Sequence, residues 1–313
     1  MRTSVRLLPL AAAFLQVGCI GFVGDFGDSD AYKEDIHKSY PLSPGGTISV
    51  ETFNGSIELI GWEQNSVEVN GTKYASTQAA VDGIKIDITA SSGSVHVRAY
   101  RPSDAPWHRM GARFSIRVPH NAVLDLISTS NGHVRVEDVE GRARLRTSNG
   151  AIRVLRLKGD LEARTSNGTI EIESLDGNGT VHTSNGTIRA EASHGSFEAG
   201  TSNGSINVRL ADPAANRPVT LESSNGHIEL TINGKQMPDV RASTTNSSIA
   251  LRLPAGANAR VRAHTSHSNI SSEFEELTVD RDRGHHELNG VIGRGGSLID
   301  LSTSNGSIKI LKL

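Results

Sequence analysis

A tetrapeptide, Thr-Ser-Asn-Gly, recurs along this chain and constrains its fold more than any other feature. It begins at Thr147, Thr165, Thr183, Thr201 and Thr303. Close variants extend the series, so that the asparagine recurs at Asn131, Asn149, Asn167, Asn185, Asn203, Asn225, Asn246 and Asn305, with His267 in the slot between the last two. The first four intervals are 18 residues each, and the next three are 22, 21 and 21. Such a period is typical of repeat architectures, in which each unit buries its apolar face by stacking on the next.

Each repeat contains two alternating runs and two turn signals. After the asparagine, the third and fifth residues are apolar and the residue between them is polar, as in Ile170, Glu171 and Ile172. A glycine such as Gly159 then precedes a second alternating run. Alternation indicates half-buried strands and glycine indicates turns. The sequence therefore predicts an all-β fold, a parallel β-helix (solenoid) whose coils stack in register with strands roughly 4.8 Å apart.

The hand of this solenoid depends on excluding one alternative. A left-handed hexapeptide helix would need apolar residues at the ninth and fifteenth positions, where Lys158 and Arg164 stand. The hexapeptide pattern fails, and the usual hand of parallel crossovers favours a right-handed parallel β-helix. Aromatic residues make up only 4% of the chain, which suits a thin aliphatic core.

The residues of the motif have separate expected roles. Stacking places asparagine above asparagine, so their side-chain amides should form an asparagine ladder along one turn. Asparagine tolerates the left-handed backbone conformation, and the glycine after it supplies a positive φ. The threonines, such as Thr147 and Thr165, fall on the inward phase of the strand before the turn.

The start of the chain carries the signals for its location. A basic beginning and the apolar residues 7–18 precede the single cysteine, Cys19. This stretch has the length of a signal peptide and is too short to span a bilayer. Val17-Gly18-Cys19 resembles the lipobox of bacterial lipoproteins, although Gln16 replaces the usual leucine. The resemblance implies lipidation of Cys19 and an outer-membrane location in a bacterial cell envelope; a plain secretory signal, giving a secreted or periplasmic protein, is the alternative.

The chain divides into four segments by pattern. Residues 1–18 are the expected signal peptide, and residues 19–39, rich in Gly and Asp, are expected to form a poorly ordered tether. Residues 40–120 show strand patterns without the period and are predicted to form an irregular N-terminal β cap, which protects the open end of a solenoid. Residues 121–313 are the predicted β-helix repeats, and their last strand, residues 308–313, is expected to have a bare apolar end.

Several segments together are similar to one known family. Asn54-Gly55-Ser56-Ile57 with Gly61-Trp62, then residues 115–119, then residues 124–132, resemble the DUF4097 family, whose members are labelled as candidate adhesins. The resemblance covers residues 40–313. It implies a β-helical, envelope-associated module of uncharacterised function, with no catalytic residues to transfer.

Two groups of residues are candidates for chemistry. Residues 280–286, with His264 and His267 one coil earlier, offer imidazoles and carboxylates to a divalent metal. Their spacing matches no known ligand set, so a solvated loop is the favoured interpretation. Glu171, Glu173 and Glu191 could serve as the acid–base residues of a carbohydrate-active enzyme, but acids and bases are scattered here as on a soluble sheet face.

The favoured function is that of a non-enzymatic, adhesin-like binding or scaffold module without a cofactor. The net charge of −2 gives no electrostatic reason to expect nucleic acid. The expected partners are the membrane, through a lipid on Cys19, and an unidentified envelope protein or glycan facing outward residues such as Arg135, Arg153 and Glu171. The alternative is a carbohydrate-active lyase or hydrolase on the same fold. A cleft with clustered carboxylates would favour the enzyme, and a flat mixed-charge sheet the binding module.

Overall fold

Two long β-sheets contain nearly all of the regular structure. The computed structural model describes residues 32–101, 110–192, 194–234, 236–277 and 286–313. This part of the chain has 13 strands in each sheet and one helix, α1 (Gln78–Gly83). With strands numbered in chain order, the first sheet runs from edge to edge as β1 (Tyr32–Pro41), β4 (Ser66–Ala75), β7 (Met110–Pro119), β3 (Ile57–Trp62), β9 (Val134–Val139), β11 (Ile152–Lys158), β13 (Ile170–Asp176), β15 (Ile188–Ala192), β17 (Ile206–Leu210), β19 (Ile228–Ile232), β21 (Ile249–Leu253), β26 (Ile308–Lys312) and β23 (Ile270–Ser272).

The second sheet has the complementary strand from each coil. From the same end of the molecule, it contains β5 (Lys85–Ala90), β6 (Ser94–Tyr100), β2 (Thr47–Thr52), β8 (Val123–Asn131), β10 (Ala143–Asn149), β12 (Leu161–Arg164), β14 (Gly179–Thr183), β16 (Phe197–Thr201), β18 (Val219–Ser223), β20 (Val240–Thr244), β25 (Ser297–Thr303), β22 (Ala259–Thr265) and β24 (Glu287–Ile292).

From β8 to β23 the chain alternates between the sheets, so that each of these coils consists of one strand from each sheet and two turns. Strands of successive coils pair in parallel with equivalent residues opposite each other: Ile152 faces Ile170, which faces Ile188. These isoleucines are fully buried and form one column of the core. The predicted all-β solenoid is confirmed. Its right-handed winding stays a prediction.

The threonine of the motif is buried because its hydroxyl has a partner in the preceding coil. The hydroxyl of Thr165 donates to the carbonyl oxygen of Gly150 at 3.0 Å, and that of Thr183 to Gly168 at 3.1 Å. An unpartnered hydroxyl in this position would destabilise the fold by about 1–3 kcal/mol. The glycine carbonyl therefore explains why an inward position accepts a polar residue.

The glycine of the motif is required for space. A β-carbon at Gly186 would lie 1.8 Å from the carbonyl oxygen of Gly168, and one at Gly168 would lie 1.9 Å from that of Gly150. Among the described residues, neither the motif glycines from Gly132 to Gly306 nor the eight asparagines have a left-handed φ. The expected left-handed asparagine and positive-φ glycine are therefore wrong for this turn, because the close approach of successive coils is what excludes a side chain.

The eight predicted asparagines lie in one row. The Nδ2 of each donates to the Oδ1 of its predecessor at 2.7–2.8 Å, from the Asn149–Asn131 pair to the Asn305–Asn246 pair. All eight side chains are exposed. Each bond therefore contributes at the lower end of the usual range of about 0.5–1.5 kcal/mol. The asparagine ladder aligns the coils along one edge of the solenoid.

At the N-terminal end, the coils do not follow chain order. The coil of β2 and β3 lies between the coil of β8 and β9 and the coil of β6 and β7, with parallel pairing on both sides. Strands β1, β4 and β5 complete this end through antiparallel pairs. Residues 40–120 thus contain two coils of the solenoid besides its cap. Residues 32–39, assigned to the tether from sequence, belong to β1.

The C-terminal end is interleaved in the same way. The last coil in sequence, β25 and β26, lies between the coil of β20 and β21 and the coil of β22 and β23. Asn305 therefore follows Asn246 directly, and His267 lies beyond it, with its backbone N–H donating to Ser304 at 3.0 Å. The expectation that His267 lies between Asn246 and Asn305 in the asparagine row is therefore wrong. The expected bare end of the last strand is also wrong, because β23 covers β26.

Candidate functional site

A groove of about 740 Å³ lies along the second turn of the coils, the turn that follows the strands of the first sheet. Its lining includes Trp62, His120, Asp138, Arg156 and Ser174. We call it the corner groove. These residues come from five coils, one residue from each, and the stacking of equivalent turns brings them together.

Three residues of the corner groove have a left-handed backbone. Asp138, Arg156 and Ser174 have φ values of 57°, 50° and 68° and stand 18 residues apart, one per coil. Strands β9, β11 and β13 stay in register at this position. An extra residue is present where β13 pairs with β15, because two residues of β13 but only one of β15 stand between the pairs Ile172–Ala190 and Leu175–Ala192. Such bulges turn a side chain outward and are common beside functional sites. The sequence analysis missed this column, since arginine is not a residue type that favours a left-handed conformation.

Arg156 connects two coils at the edge of the groove. Its guanidinium bonds both carboxylate oxygens of Asp138, at 2.6 and 2.9 Å, and also bonds Glu137. The bond from Arg156 lowers the pKa of Asp138, and bonds from Arg135 and then Arg156 lower the pKa of Glu137. Both carboxylates are therefore ionised and engaged at neutral pH, which makes them poor proton donors.

Further pairs continue this pattern along the groove. Lys158 Nζ lies 2.6 Å from Glu140 in the preceding coil, and His194 Nδ1 lies 3.2 Å from Asp176. The hydrogen bond from Lys158 lowers the pKa of Glu140. The groove therefore presents acids and bases joined across coils.

The end of the groove is formed by a tightly packed glycine and an aromatic ring. A β-carbon at Gly61 would lie 1.8 Å from the carbonyl oxygen of Asp138, which also lies 2.7 Å from His120 Nδ1. Trp62 donates its indole N–H to Ser66 at 2.8 Å, and the guanidinium of Arg117 lies 5.6 Å from its ring centre. These contacts explain why the pair Gly61-Trp62, which is part of the family resemblance, occurs at this position.

The outer face of the first sheet holds the residues that the sequence proposed for display and for acid–base chemistry. Among the display residues, Arg135 lies 2.5 Å from Glu137, and its Nε lies 3.2 Å from Glu58 at an angle that does not suit a hydrogen bond. The three candidate acid–base residues each face an arginine: Glu173–Arg153 at 2.6 Å, Glu171–Arg189 at 3.5 Å and Glu191–Arg209 at 3.5 Å. The three carboxylates line a groove of about 390 Å³ on this face together with their arginine partners, so the charges in the groove are mixed and paired.

The remaining candidates are not brought into a site. Residues 280–285 and Cys19 lie outside the described residues; His286 is described, and its Nδ1 lies 2.7 Å from the carbonyl oxygen of Ser268. His267 Nδ1 lies 3.3 Å from the carbonyl oxygen of Ser304. Within the described ranges, no three His, Cys, Asp or Glu side chains are grouped as metal ligands would be. Among the described residues, no helix is long and apolar enough to cross a membrane.

Comparison with known proteins adds a family and two structures. The profile of the family described as Toastrack DUF4097 matches residues 45–311. A candidate cell adhesion protein from Clostridium sporogenes is 11% identical, with 90% of this chain and 100% of that chain covered and a TM-score of 0.25. A candidate adhesin from Bacteroides fragilis is 12% identical, with 89% and 97% covered and a TM-score of 0.39. No curated protein matches the chain significantly.

Proposed function

The chain belongs to the DUF4097 (Toastrack) family, and from this premise we propose that it is a non-enzymatic, adhesin-like binding or scaffold module of the bacterial cell envelope. A stack of parallel coils is a rigid support, and it presents equivalent outward side chains at each step of about 4.8 Å. Its partner is an envelope protein or glycan that contacts these outer faces.

The pairing of carboxylates on the first sheet carries this proposal. Glycoside cleavage needs either two carboxyl groups facing one bond or a carboxylate free to take a proton. Glu171, Glu173 and Glu191 each have an arginine partner at 2.6–3.5 Å instead. A face on which the charges are paired suits recognition of a polar partner, because charge complementarity selects among partners.

The location in the proposal rests on the sequence. A signal peptide of residues 1–18 and a lipid on Cys19 would hold the solenoid at the outer membrane. After the expected lipid attachment site at Cys19, the first element that the structure describes is strand β1, which starts at Tyr32. Release into the periplasm or the medium is the alternative for a chain cleaved elsewhere.

Turnover assays test the non-enzymatic part of the proposal. The full chain is incubated with soluble neutral and acidic polysaccharides, and released reducing ends and unsaturated products are measured. We expect no product above the level of the Glu173→Gln variant. If the wild-type chain forms product and either Glu173→Gln or Glu171→Gln abolishes it, the protein is a lyase or hydrolase instead.

Acyl labelling tests the anchor. Cells expressing the full chain are grown with an alkyne-tagged fatty acid, and the label on the protein is measured after membrane fractionation. We expect a labelled membrane form for the wild type, and an unlabelled form for Cys19→Ala. Equal labelling of the two chains would contradict lipidation at Cys19.

A further inference from the structure

A second groove, on the outer face of the second sheet, has a cationic row formed by Arg146 and Arg164. Arg146 lies opposite Arg164 in the next coil, and Arg164 lies opposite His182 in the coil after that. The groove has a volume of about 420 Å³, and its described lining contains these three residues together with serines and threonines and no acidic side chain. We call it the cationic groove. Its basic groups are spaced by one coil, roughly 4.8 Å, along the axis of the solenoid.

The arginines at this groove outnumber the carboxylates that pair with them. Arg146 and Arg164 lie 3.3 and 3.2 Å from the same carboxylate, Glu162, which also lies 3.2 Å from Arg144. Arg144 has a second acid, Asp125, at 3.8 Å. Because each guanidinium has five N–H donors, one shared carboxylate leaves Arg146 and Arg164 with donors for another anion.

The arginine side chains are accessible from solvent. Their exposed fractions are 50% for Arg146 and 53% for Arg164, against 21% for Glu162. The acid thus lies deeper and fixes the guanidinium groups without covering them. A ligand that approaches the face meets the arginines first.

A column of hydroxyls runs beside the cationic row. Ser130, Ser148, Ser166 and Ser184, one per coil, are exposed at the edge next to the asparagine ladder. The neighbouring threonine hydroxyls already donate to glycine carbonyls, as Thr165 does to Gly150. These four serines and the half-buried Ser128, which lies opposite Arg146, are therefore the hydroxyl groups in the groove that face outward.

We propose that the cationic groove binds an anionic polysaccharide laid along the solenoid axis, with Arg146 and Arg164 on successive acidic groups and the serine column on sugar hydroxyls. The acidic group is a carboxylate, sulfate or phosphate, all of which accept paired hydrogen bonds from a guanidinium. This inference rests on the proposed binding function and gives it a ligand class and a site.

The lining favours a glycan over two other polyanions. Single-stranded nucleic acid is held by base stacking on aromatic side chains, and the described lining of this groove has none. An anionic membrane surface is normally bound with apolar or aromatic residues that enter the lipid, and these are also missing from that lining. Hydroxyls beside arginines match a chain that carries both sugar hydroxyls and charge.

The test compares two pairs of charge-removing substitutions. The full chain is purified in detergent, and its binding to dextran sulfate, polygalacturonate, neutral dextran and polythymidylate is measured by calorimetry at two salt concentrations. Arg146→Gln with Arg164→Gln removes the cationic row. Arg241→Gln with Arg262→Gln is the matched control, because it removes the same charge from exposed side chains of the same sheet that do not line the groove.

We expect at least one of the acidic polysaccharides to bind the wild-type chain, and the Arg146/Arg164 variant to bind it about tenfold more weakly, or about 1.4 kcal/mol, since two exposed ion pairs with the ligand are lost. The control pair should change affinity less than twofold, and added salt should weaken binding. Equal losses in the two variants, equal binding of neutral dextran, tighter binding of polythymidylate, or no binding of either acidic polysaccharide would overturn the inference. Turnover and acyl labelling are measured separately, so failure here is distinguishable from failure of the proposed function.

Discussion

Replacing Gly186 by alanine should separate two coils of the solenoid. The new β-carbon would lie 1.8 Å from the carbonyl oxygen of Gly168, whereas real β-carbons essentially never come within 3.0 Å of another atom. The coils must therefore move apart locally by at least the difference, 3.0 − 1.8 = 1.2 Å. Neither neighbour can yield by a side-chain rotation, because the contact is with backbone.

The cost follows from the hydrogen bonds at that step. Three bonds join the two coils beside Gly186: Thr183 Oγ1 to Gly168 O at 3.1 Å, Asn185 Nδ2 to Asn167 Oδ1 at 2.8 Å, and Asn185 N to Ser166 O at 2.9 Å. Stretching them by the required displacement breaks all three, at about 1 kcal/mol each for the Thr183 bond and the backbone bond and about 0.5 kcal/mol for the exposed ladder bond. Alanine restricts the unfolded chain and regains about 0.4–1 kcal/mol. We expect a net loss of about 1.5–2 kcal/mol for Gly186→Ala.

Urea unfolding and hydrogen exchange measure this effect. Because each coil of a solenoid interacts only with its neighbours, the exchange should accelerate mainly in peptides spanning residues 165–204. Gly93→Ala is the control, since a β-carbon there meets nothing within 4 Å and the residue has no left-handed φ. If Gly186→Ala unfolds at the same urea concentration as Gly93→Ala, with unchanged exchange in these peptides, the close-approach argument is refuted.

Three further predictions concern single hydrogen bonds and pH. Asn185→Ala removes two bonds of the asparagine ladder and Asn131→Ala one, so urea unfolding should show about twice the loss for Asn185→Ala, roughly 1 against 0.5 kcal/mol. Thr183→Val should lower stability by about 1 kcal/mol in the same assay, through loss of the buried hydroxyl bond. The pKa of Asp138 is lowered in the folded state by Arg156, so its contribution is present above the unfolded pKa and is lost as pH falls through the folded pKa. Thermal melts at descending pH should therefore show a smaller acid-induced decrease for Arg156→Gln than for the wild type.

The periodic part of the sequence was sufficient to predict the coil. Alternation around Ile170 and Ile188 identified the buried column, and the inward phase of Thr165 was also read correctly. The prediction succeeded because, in a stack with equivalent residues opposite each other, every side chain meets its own counterpart. One local pattern therefore specifies both the strand and its neighbours.

The reasons for some residues could not be read from residue type. The motif glycine was interpreted as a turn residue, but the structure shows that the backbone of the preceding coil occupies the space a side chain would need. The non-glycine residues with a left-handed φ are instead Asp138, Arg156 and Ser174, which line the corner groove. In β13 this conformation coincides with an extra residue, which is visible only against the paired strand β15.

The sequence by itself determined the two-strand coil, its register and the row of asparagines. Only the tertiary structure decided the order of coils at both ends, where β2 and β3 lie inside β6 and β7, and β25 and β26 lie inside β22 and β23. All coils bury the same kind of aliphatic face and offer the same backbone hydrogen bonds. A repeating pattern therefore predicts that coils stack but does not predict the order in which they stack. The order is decided by how the irregular segments at each end close over the last exposed strands.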